Sequence, residues 1–174
     1  MDRFWIHLLR LLDFTVDRVQ ATAMEAFFTF YVSTSTLIIP EKERSVQAIV
    51  DWSRGWNNSV GITGALVFTE VNFCQFLEGP KQAVLDLMEK IKADHRHVHV
   101  DVIEQGWASE RRFHGWSLCY SGPPTPLEAL IAPLSRRSPD APVHAEVWHL
   151  VDAMQAMAAL GTSCLLYTSD AADE

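Results

Sequence analysis

Three side chains that are far apart in the chain have the chemistry to hold a flat, uncharged ring: Tyr31, Asn57 and Gln75. Each can both donate and accept hydrogen bonds, and none is a strong acid or base at neutral pH. A pocket lined by such groups suits a heteroaromatic ring whose edge alternates N–H and C=O, whereas hydrolysis would need other residues. The three residues therefore predict ring binding rather than acid–base chemistry.

Gln75 is the most informative of the three because of its neighbours. If the strand that follows Asn72 alternates its faces, Phe73, Gln75 and Leu77 point to the same side. This places the amide of Gln75 on an apolar face, where an unpaired amide costs about 1–3 kcal/mol. Gln75 therefore needs a partner in the core or a ligand that supplies one.

The elements that carry these residues follow from composition and periodicity. The segment FFTFYVS, residues 27–33, is aromatic and β-branched and predicts a central strand, on which Tyr31 shares a face with Thr29 and Ser33. Pro40 opens a helix that ends near residues 52–57, where Asn57 and Asn58 could also act as a cap or turn.

The next segments continue an alternation of strands and helices. The residues Gly61-Ile62-Thr63-Gly64 turn the chain into the strand ALVFT, and a short loop at residues 70–72 predicts a hairpin to FCQFLEG. Pro80 begins a second helix. Val98, Val100 and Val102 alternate with His99 and Asp101 in a further strand, and a last strand covers residues 116–120.

The predicted order β-α-β-β-α-β-β, with amphipathic helices on one face, describes an α+β, ferredoxin-like sandwich with an extra strand. Beyond Gly122, a Pro-rich stretch predicts turns and one short helix. Residues 143–160 predict a longer helix with an apolar stripe. We therefore expect residues 122–163 to form a C-terminal helical cap.

The same residues carry a close resemblance to the BLUF family, the blue-light sensors that use FAD. Counting eight residues from Ser53 to Gly61, as the family pattern does, aligns Asn57 rather than Asn58 with the flavin-binding amide and leaves Trp56 where a first Asn usually stands. The matching motifs occur in the family's order over residues 27–120: Tyr31-Val32-Ser33, Ser53-Arg54 leading to Asn57, Gly61-Ile62-Thr63-Gly64, Phe73-Cys74-Gln75, Leu77-Glu78-Gly79-Pro80, Asp94-His95-Arg96-His97, and Arg111-Arg112-Phe113 before Trp116-Ser117.

The resemblance implies a photosensor, residues 24–121, that binds FAD non-covalently between its two helices. In the family, the tyrosine at the position of Tyr31 gives an electron and a proton to the excited flavin. The glutamine at the position of Gln75 bridges tyrosine and flavin, and its rearrangement or tautomer change rewires the hydrogen bond to the flavin C4 carbonyl. The asparagine at the position of Asn57 contacts the ring edge.

The resemblance also implies roles for residues around the ring. Lys90, Asp94 and Arg96 match positions that contact the ribityl or phosphate part of the cofactor, and for each the alternative is a solvated charge at a helix end. Trp116 and Leu118 match the relay to the surface, although the family commonly has Met where Leu118 stands. Leu118 keeps the volume and loses the sulfur, so we expect binding to survive and output and recovery to change.

Charge and cysteine content restrict the partners and the compartment. The formal net charge of −8 argues against a nucleic-acid or anionic-membrane surface, because such partners need a basic face. The three cysteines have no zinc-type spacing, which favours a reducing, cytoplasmic compartment over a disulfide framework.

Both ends of the chain differ from its middle. Residues 1–23 predict an amphipathic helix that is too short and too charged to span a bilayer, and Met24 is an alternative start. Residues 164–174, CLLYTSDAADE, look like the translation of a sequencing-library adapter. With this tail excluded, the natural C-terminus is undefined.

Other functions must be weighed against the sensor. A ferredoxin-like fold also supports flavin-dependent redox enzymes, structural interaction modules and acylphosphatase-like hydrolases, in which Arg54 and Asn57 would hold an acyl phosphate. Alternation would place His95, His97 and His99 on one strand face and suggests a metal site, but no carboxylate or cysteine completes a tetrahedral set nearby. We expect a photoreceptor without enzymatic activity, a homo-oligomer that signals to an unidentified protein partner.

Overall fold

The computed structural model describes residues 26–37, 42–121, 126–135 and 144–159. The observed order confirms the predicted β-α-β-β-α-β-β order followed by C-terminal helices. The predictions for residues 1–23 and 164–174 and for the helix start at Pro40 lie outside the described residues. In chain order, the elements are β1 (Ala26–Ser35), α1 (Lys42–Ser59), β2 (Thr63–Phe68), β3 (Asn72–Gly79), α2 (Lys81–Ala93), β4 (His97–Ala108), β5 (Trp116–Ser121), α3 (Pro126–Ser135) and α4 (His144–Ala159).

The five strands form one sheet in the order β4-β1-β3-β2-β5. β1 pairs antiparallel with both β3 and β4, and β2 pairs antiparallel with β3. The added strand β5 pairs parallel with β2. The two strands that carry Tyr31 and Gln75 are therefore direct neighbours near the middle of the sheet.

The sheet is covered on both faces, which explains why β3 is buried along its whole length. As predicted, Phe73 and Leu77 belong to one core, whereas Cys74 and Phe76 belong to the other. Each core contains residues that point to a single face of the sheet, as a period of two requires. Gln75 therefore points to the same face as Phe73 and Leu77.

The two cores are completed by different helices. On the face of Gln75, α1 and α2 contribute Val46, Val50, Val84, Leu87 and Met88. On the opposite face, α3 and α4 contribute Ile131, Leu134, Val147, Leu150, Val151 and Met154. The ferredoxin-like layer of two helices is thus the layer that faces Tyr31 and Gln75, and the C-terminal helices cover the other side.

The turn between α1 and β2 depends on glycine. Gly64 has a φ of 146°, and a Cβ atom there would lie 2.0 Å from the carbonyl oxygen of Phe76. Any other residue would push β2 away from β3. The turn therefore requires glycine at this position of the Gly61-Ile62-Thr63-Gly64 motif.

The simple alternation that the sequence predicts for β4 is wrong at its start. His99 has a φ of 52°, and the register between β1 and β4 shifts between Val32 and Thr34. A left-handed residue of this kind interrupts the period of two. Val98 is consequently exposed, while His97 is buried.

A buried carboxylate connects β3 to the segment that precedes β5. Glu78 accepts hydrogen bonds from the backbone N–H groups of Arg112 at 2.9 Å and Phe113 at 2.7 Å, and from the Thr63 hydroxyl at 3.0 Å. The same segment is held to α4, because Gln155 Nε2 donates to the Arg112 carbonyl at 2.8 Å. This loop therefore connects the end of β3 to α4 on the face of the sheet opposite Gln75.

Candidate functional site

The centre of the candidate site is a contact between Tyr31 and Gln75. The two residues are opposite each other in the β1–β3 register, and the Tyr31 hydroxyl donates a buried 2.8 Å hydrogen bond to Gln75 Oε1. Burial, followed by the charges of Cys74 and Asp94, raises the pKa of the Tyr31 phenol above its ordinary value. The phenol therefore remains protonated and keeps its role as donor.

A cavity of about 520 Å³ opens beside this pair. Its volume falls in the range of small-molecule sites, which are largely apolar with a few polar groups that orient the ligand. Most of the lining surface is apolar, and the lining comes from the sheet, from α1 and α2, and from the segment that joins α2 to β4. The cavity is lined by Tyr31, Ile49, Trp52, Ser53, Leu66, Phe73, Gln75, Leu87, Lys90, Ile91, Ala93, Asp94, His95, Arg96 and His97.

Asn57 is the third predicted polar residue, and it lies next to the cavity rather than in its wall. It is fully buried, and neither atom of its amide has a hydrogen-bond partner in the described structure. Ser53, which lines the cavity, precedes Asn57 by one helical turn, so both point to the same side of α1. The neighbouring Asn58, which the motif spacing does not align with the flavin-binding amide, is exposed.

The backbone of Asn57 explains how α1 ends. Its carbonyl oxygen accepts a hydrogen bond from the N–H of Ile62 at 2.8 Å. The turn thus uses the backbone of Asn57 and leaves the amide unpaired. An unpaired buried amide costs about 1–3 kcal/mol, so this side chain has a reason other than stability for its position.

The three charged residues that the resemblance implies all line the cavity. Asp94 and Arg96 form a salt bridge in which Arg96 Nε lies 2.9 Å from both carboxylate oxygens. Burial alone raises the pKa of the Asp94 carboxyl, but hydrogen bonds and the charge of Arg96 outweigh burial and hold it below its ordinary value. Lys90 instead lies over aromatic rings, with Nζ 3.9 Å from the Trp56 centroid.

His97 is a residue of the site whose role the sequence did not reveal. Its Nδ1 forms a 2.8 Å hydrogen bond with the hydroxyl of Ser33, and its ring lies 4.2 Å from that of Phe73. Burial is the main cause that lowers the pKa of His97 to about 4, with Asp94 opposing and Arg96 adding to the effect. The ring is therefore neutral at pH 7. The sequence shows only that a histidine begins this strand. Its contact with Ser33 depends on the pairing of distant strands.

Trp116 and Leu118 lie on β5, but their side chains are outside the described part of the structure. The register places Trp116 opposite Gly64 and Leu118 opposite Leu66, which lines the cavity. The backbone of β5 therefore runs beside a strand of the site. The relay role of both residues stays a prediction.

Two alternatives from the sequence find no geometric support. The side chain of His95 is almost fully exposed while that of His97 is buried, so the expected histidine face does not form. Within the described residues, no group of three or more His, Cys, Asp or Glu side chains could hold a metal ion. Arg54 is exposed and Asn57 is buried, so the two do not face a common phosphate position.

The residues present fit a flavin ring on three counts. The cavity has apolar walls from both helices and the sheet, the amide of Gln75 lies in its wall, and the unpaired amide of Asn57 lies beside it. An amide offers a donor and an acceptor, as the alternating edge of an isoalloxazine requires. Fold and site together define an α+β domain with a cavity suited to a flat heteroaromatic ligand between two helices and a sheet.

Comparison with known proteins agrees with this class. The family model of BLUF, "Sensors of blue-light using FAD", matches residues 27–119. This chain belongs to the BLUF family, whose domains bind flavin and act as light sensors.

Individual relatives agree in sequence and in structure. Subunit beta of the photoactivated adenylate cyclase of Euglena longa is 34% identical over 89 residues, which cover 51% of this chain and 10% of that protein. The dark-state structure of the BLUF protein BlrB is 30% identical with a TM-score of 0.60, covering 77% of this chain and 98% of that one. BlrP1 of Klebsiella pneumoniae, solved as a calcium and cyclic-diGMP complex, is 26% identical with a TM-score of 0.54, covering 75% of this chain and 34% of that one.

The Euglena relatives are much longer than this chain. The chain spans about a tenth of the length of the Euglena longa cyclase subunit that it matches. Among the described helices, none has the length and apolar character needed to cross a membrane.

Proposed function

We propose that this chain is a blue-light photoreceptor that binds FAD non-covalently and signals to a protein partner. The observation that carries the proposal is the buried hydrogen bond from Tyr31 to Gln75 in the wall of a cavity of flavin size. A tyrosine and an amide in direct contact beside the ring position are the two groups that the family's light reaction requires.

When bound, the flavin supplies blue-light absorption and an excited state that accepts an electron and a proton. Tyr31 is positioned to give both, because its phenol is protonated and buried. Before illumination, Gln75 accepts the hydrogen bond that the Tyr31 hydroxyl donates. After light, the amide of Gln75 rearranges and offers a different hydrogen bond to the ring edge. The buried surroundings preserve this change, because few water molecules compete for the same groups.

Asn57, Lys90, Asp94 and Arg96 complete the proposed binding site. Asn57 provides one donor and one acceptor for the ring edge, which resolves its unpaired state. The three charged residues hold the ribityl and phosphate part. Because Asp94 and Arg96 neutralise each other in a salt bridge, Lys90 supplies the main unshared positive charge for the phosphates.

We propose that the C-terminal elements transmit the light-induced change to the protein partner. Trp116 and Leu118 relay the change along β5, and the loop held by Glu78 joins β3 to α4 through Arg112 and Gln155. We propose that residues 24–121 are the sensor, that residues 122–163 are the cap that presents the signal, and that residues 164–174 are adapter sequence. The chain acts in the cytoplasm as a homo-oligomer and is not itself an enzyme.

The deciding experiment is reconstitution of the purified protein with FAD and illumination with blue light. We expect a yellow protein whose absorption shifts to the red and returns in the dark. A bleached, reduced flavin would instead support a flavin-dependent redox enzyme on the same fold. A colourless protein after reconstitution would contradict both functions and favour an interaction module.

A further inference from the structure

Two tryptophans and a lysine form a stacked cluster between the helices of the site. Trp52 and Trp56 are one turn apart on α1, and their rings are nearly parallel, with centroids 5.7 Å apart and an interplanar angle of 6°. Lys90 reaches across from α2, with Nζ 3.9 Å from the Trp56 centroid and 5.8 Å from that of Trp52. We call these three residues the indole stack.

The indole stack borders the cavity and extends to solvent. Trp52 and Lys90 both line the cavity that contains Tyr31 and Gln75. Trp52 nevertheless is 53% exposed, whereas Trp56 is half-buried against the core. The stack therefore presents an exposed aromatic surface, with a cation beside it, at the border of the cavity.

An exposed indole beside a cavity invites a planar partner. A nucleobase stacked on an aromatic side chain gains affinity because every base has a π face, and an ammonium group favours phosphate oxygens. Of the common flavins, riboflavin has neither group, FMN has a phosphate only, and FAD has a diphosphate and an adenine. The cluster thus carries recognition chemistry for the half of FAD that lies away from the isoalloxazine.

We propose that the indole stack binds the adenosine diphosphate half of FAD, with the adenine against Trp52 and the diphosphate near Lys90. This inference rests on the proposed flavin site and adds the preference among flavins. Trp56 supports Trp52 from the core side, and Lys90 fixes both indoles through its position over their rings. The stack then makes the site selective for FAD over FMN.

The test is to measure the affinity of the apoprotein for riboflavin, FMN and FAD by equilibrium titration. We expect FAD to bind the parent protein at least about tenfold more tightly than FMN, the size of one base stack. Trp52→Ala should remove this preference, so that FMN and FAD bind the variant with about equal affinity. Lys90→Gln should weaken the binding of FMN and FAD more than the binding of riboflavin.

A second exposed tryptophan provides the matched control. Trp107 on β4 is 48% exposed, lies edge-on to Phe27 and has Lys81 5.9 Å from its ring centroid, but it does not line the cavity. Trp107→Ala should keep the FAD preference of the parent.

The outcomes separate this inference from the proposed function. Equal affinity of the parent for FMN and FAD, or a Trp52→Ala variant that keeps the preference, overturns the role of the stack and leaves the flavin site intact. Equal loss of all three flavins in Trp52→Ala also overturns it, since the indole would then only support the fold. Binding of none of the flavins by the parent protein overturns the flavin site and the stack with it.

Discussion

The hydroxyl of Tyr31 lies 2.8 Å from Oε1 of Gln75, and the two residues face each other across adjacent strands of the central sheet. This distance is normal for an O–H···O hydrogen bond. Because the phenol donates, the amide presents its oxygen to Tyr31 and its nitrogen away from it. If the amide of Gln75 turned over, it would present a donor instead of an acceptor to the phenol and an acceptor instead of a donor to a neighbouring ligand.

The first prediction concerns the phenol itself. Tyr31→Phe removes the group that gives the electron and the proton and leaves the apolar ring that packs in the core. We expect the variant to bind flavin with an affinity within a few-fold of the parent and to lose the red-shifted state. Absorption spectra before and after blue light measure both. A normal, reversible red shift in this variant would exclude the role proposed for Tyr31.

The second prediction concerns the amide partner. Gln75→Leu keeps the approximate shape of the side chain but removes the acceptor for the Tyr31 hydroxyl. We expect an altered dark spectrum, because the ring environment changes, and no light-induced shift. Gln105→Leu, an exposed glutamine on β4, is the control and should keep the parent spectrum and photocycle. If Gln75→Leu showed the same light-induced shift as the control, the role proposed for the Gln75 amide would be excluded.

The third prediction concerns the unpaired amide of Asn57. Its removal should raise the stability of the apoprotein and lower its affinity for flavin. Asn57→Leu removes a buried donor and acceptor that have no partner in the described structure. We expect the apoprotein to become more stable by about 1–2 kcal/mol, since the desolvation cost disappears. Flavin affinity should fall at least about tenfold, as a ring-edge contact is lost.

Urea unfolding of the apoprotein and flavin titration measure the two effects of Asn57→Leu. Asn58→Leu, at the exposed neighbouring position, should change neither by much. Unchanged flavin affinity in Asn57→Leu would show that the amide does not contact the ligand.

The sequence predicted the strands and helices of the site because their apolar residues follow simple periods. The alternation in β3 placed Gln75 on the correct face, and the motif count selected the buried Asn57 over the exposed Asn58. These features depend on local spacing, which a single sequence contains. The start of β4 was different, because the left-handed residue His99 interrupts the alternation without a glycine to mark it.

The missed parts of the site depend on contacts between distant segments. The bond between Ser33 and His97 spans 64 positions and needs the β1–β4 register, including its shifts. The spacing of Trp52 and Trp56 is visible in the sequence, but the lysine over their rings comes from another helix. Such clusters follow from how the two helices cross the sheet, and periodicity does not determine that geometry.

The fourth prediction concerns the loop that precedes β5. Glu78→Gln replaces one acceptor oxygen by an N–H group, so the backbone N–H of Arg112 or Phe113 loses its partner. We expect a loss of about 1–3 kcal/mol in the free energy of unfolding, the cost of one unpaired buried group. Glu110→Gln, an exposed carboxylate beside the same loop, should be neutral. Equal free energies of unfolding in urea for the two variants would show that Glu78 does not hold this loop.

The fifth prediction is a pH dependence that originates in His97. Because its pKa is lowered to about 4 from 6.5, the folded protein holds a neutral ring while the unfolded chain takes up a proton as the pH falls. The stability that this neutral ring permits is complete above pH 6.5 and is lost as the pH falls toward 4. We expect the apoprotein to lose about 2 kcal/mol more between pH 7 and pH 5 than His97→Gln loses. Asp94 does not interfere, since the lowered pKa of its carboxyl confines its contribution to more acidic conditions. His149→Gln, at an exposed position on α4, is the control for His97→Gln and should retain the full pH dependence of stability. If the urea midpoint of the parent protein were the same at pH 7 and pH 5, this would contradict the buried neutral ring of His97.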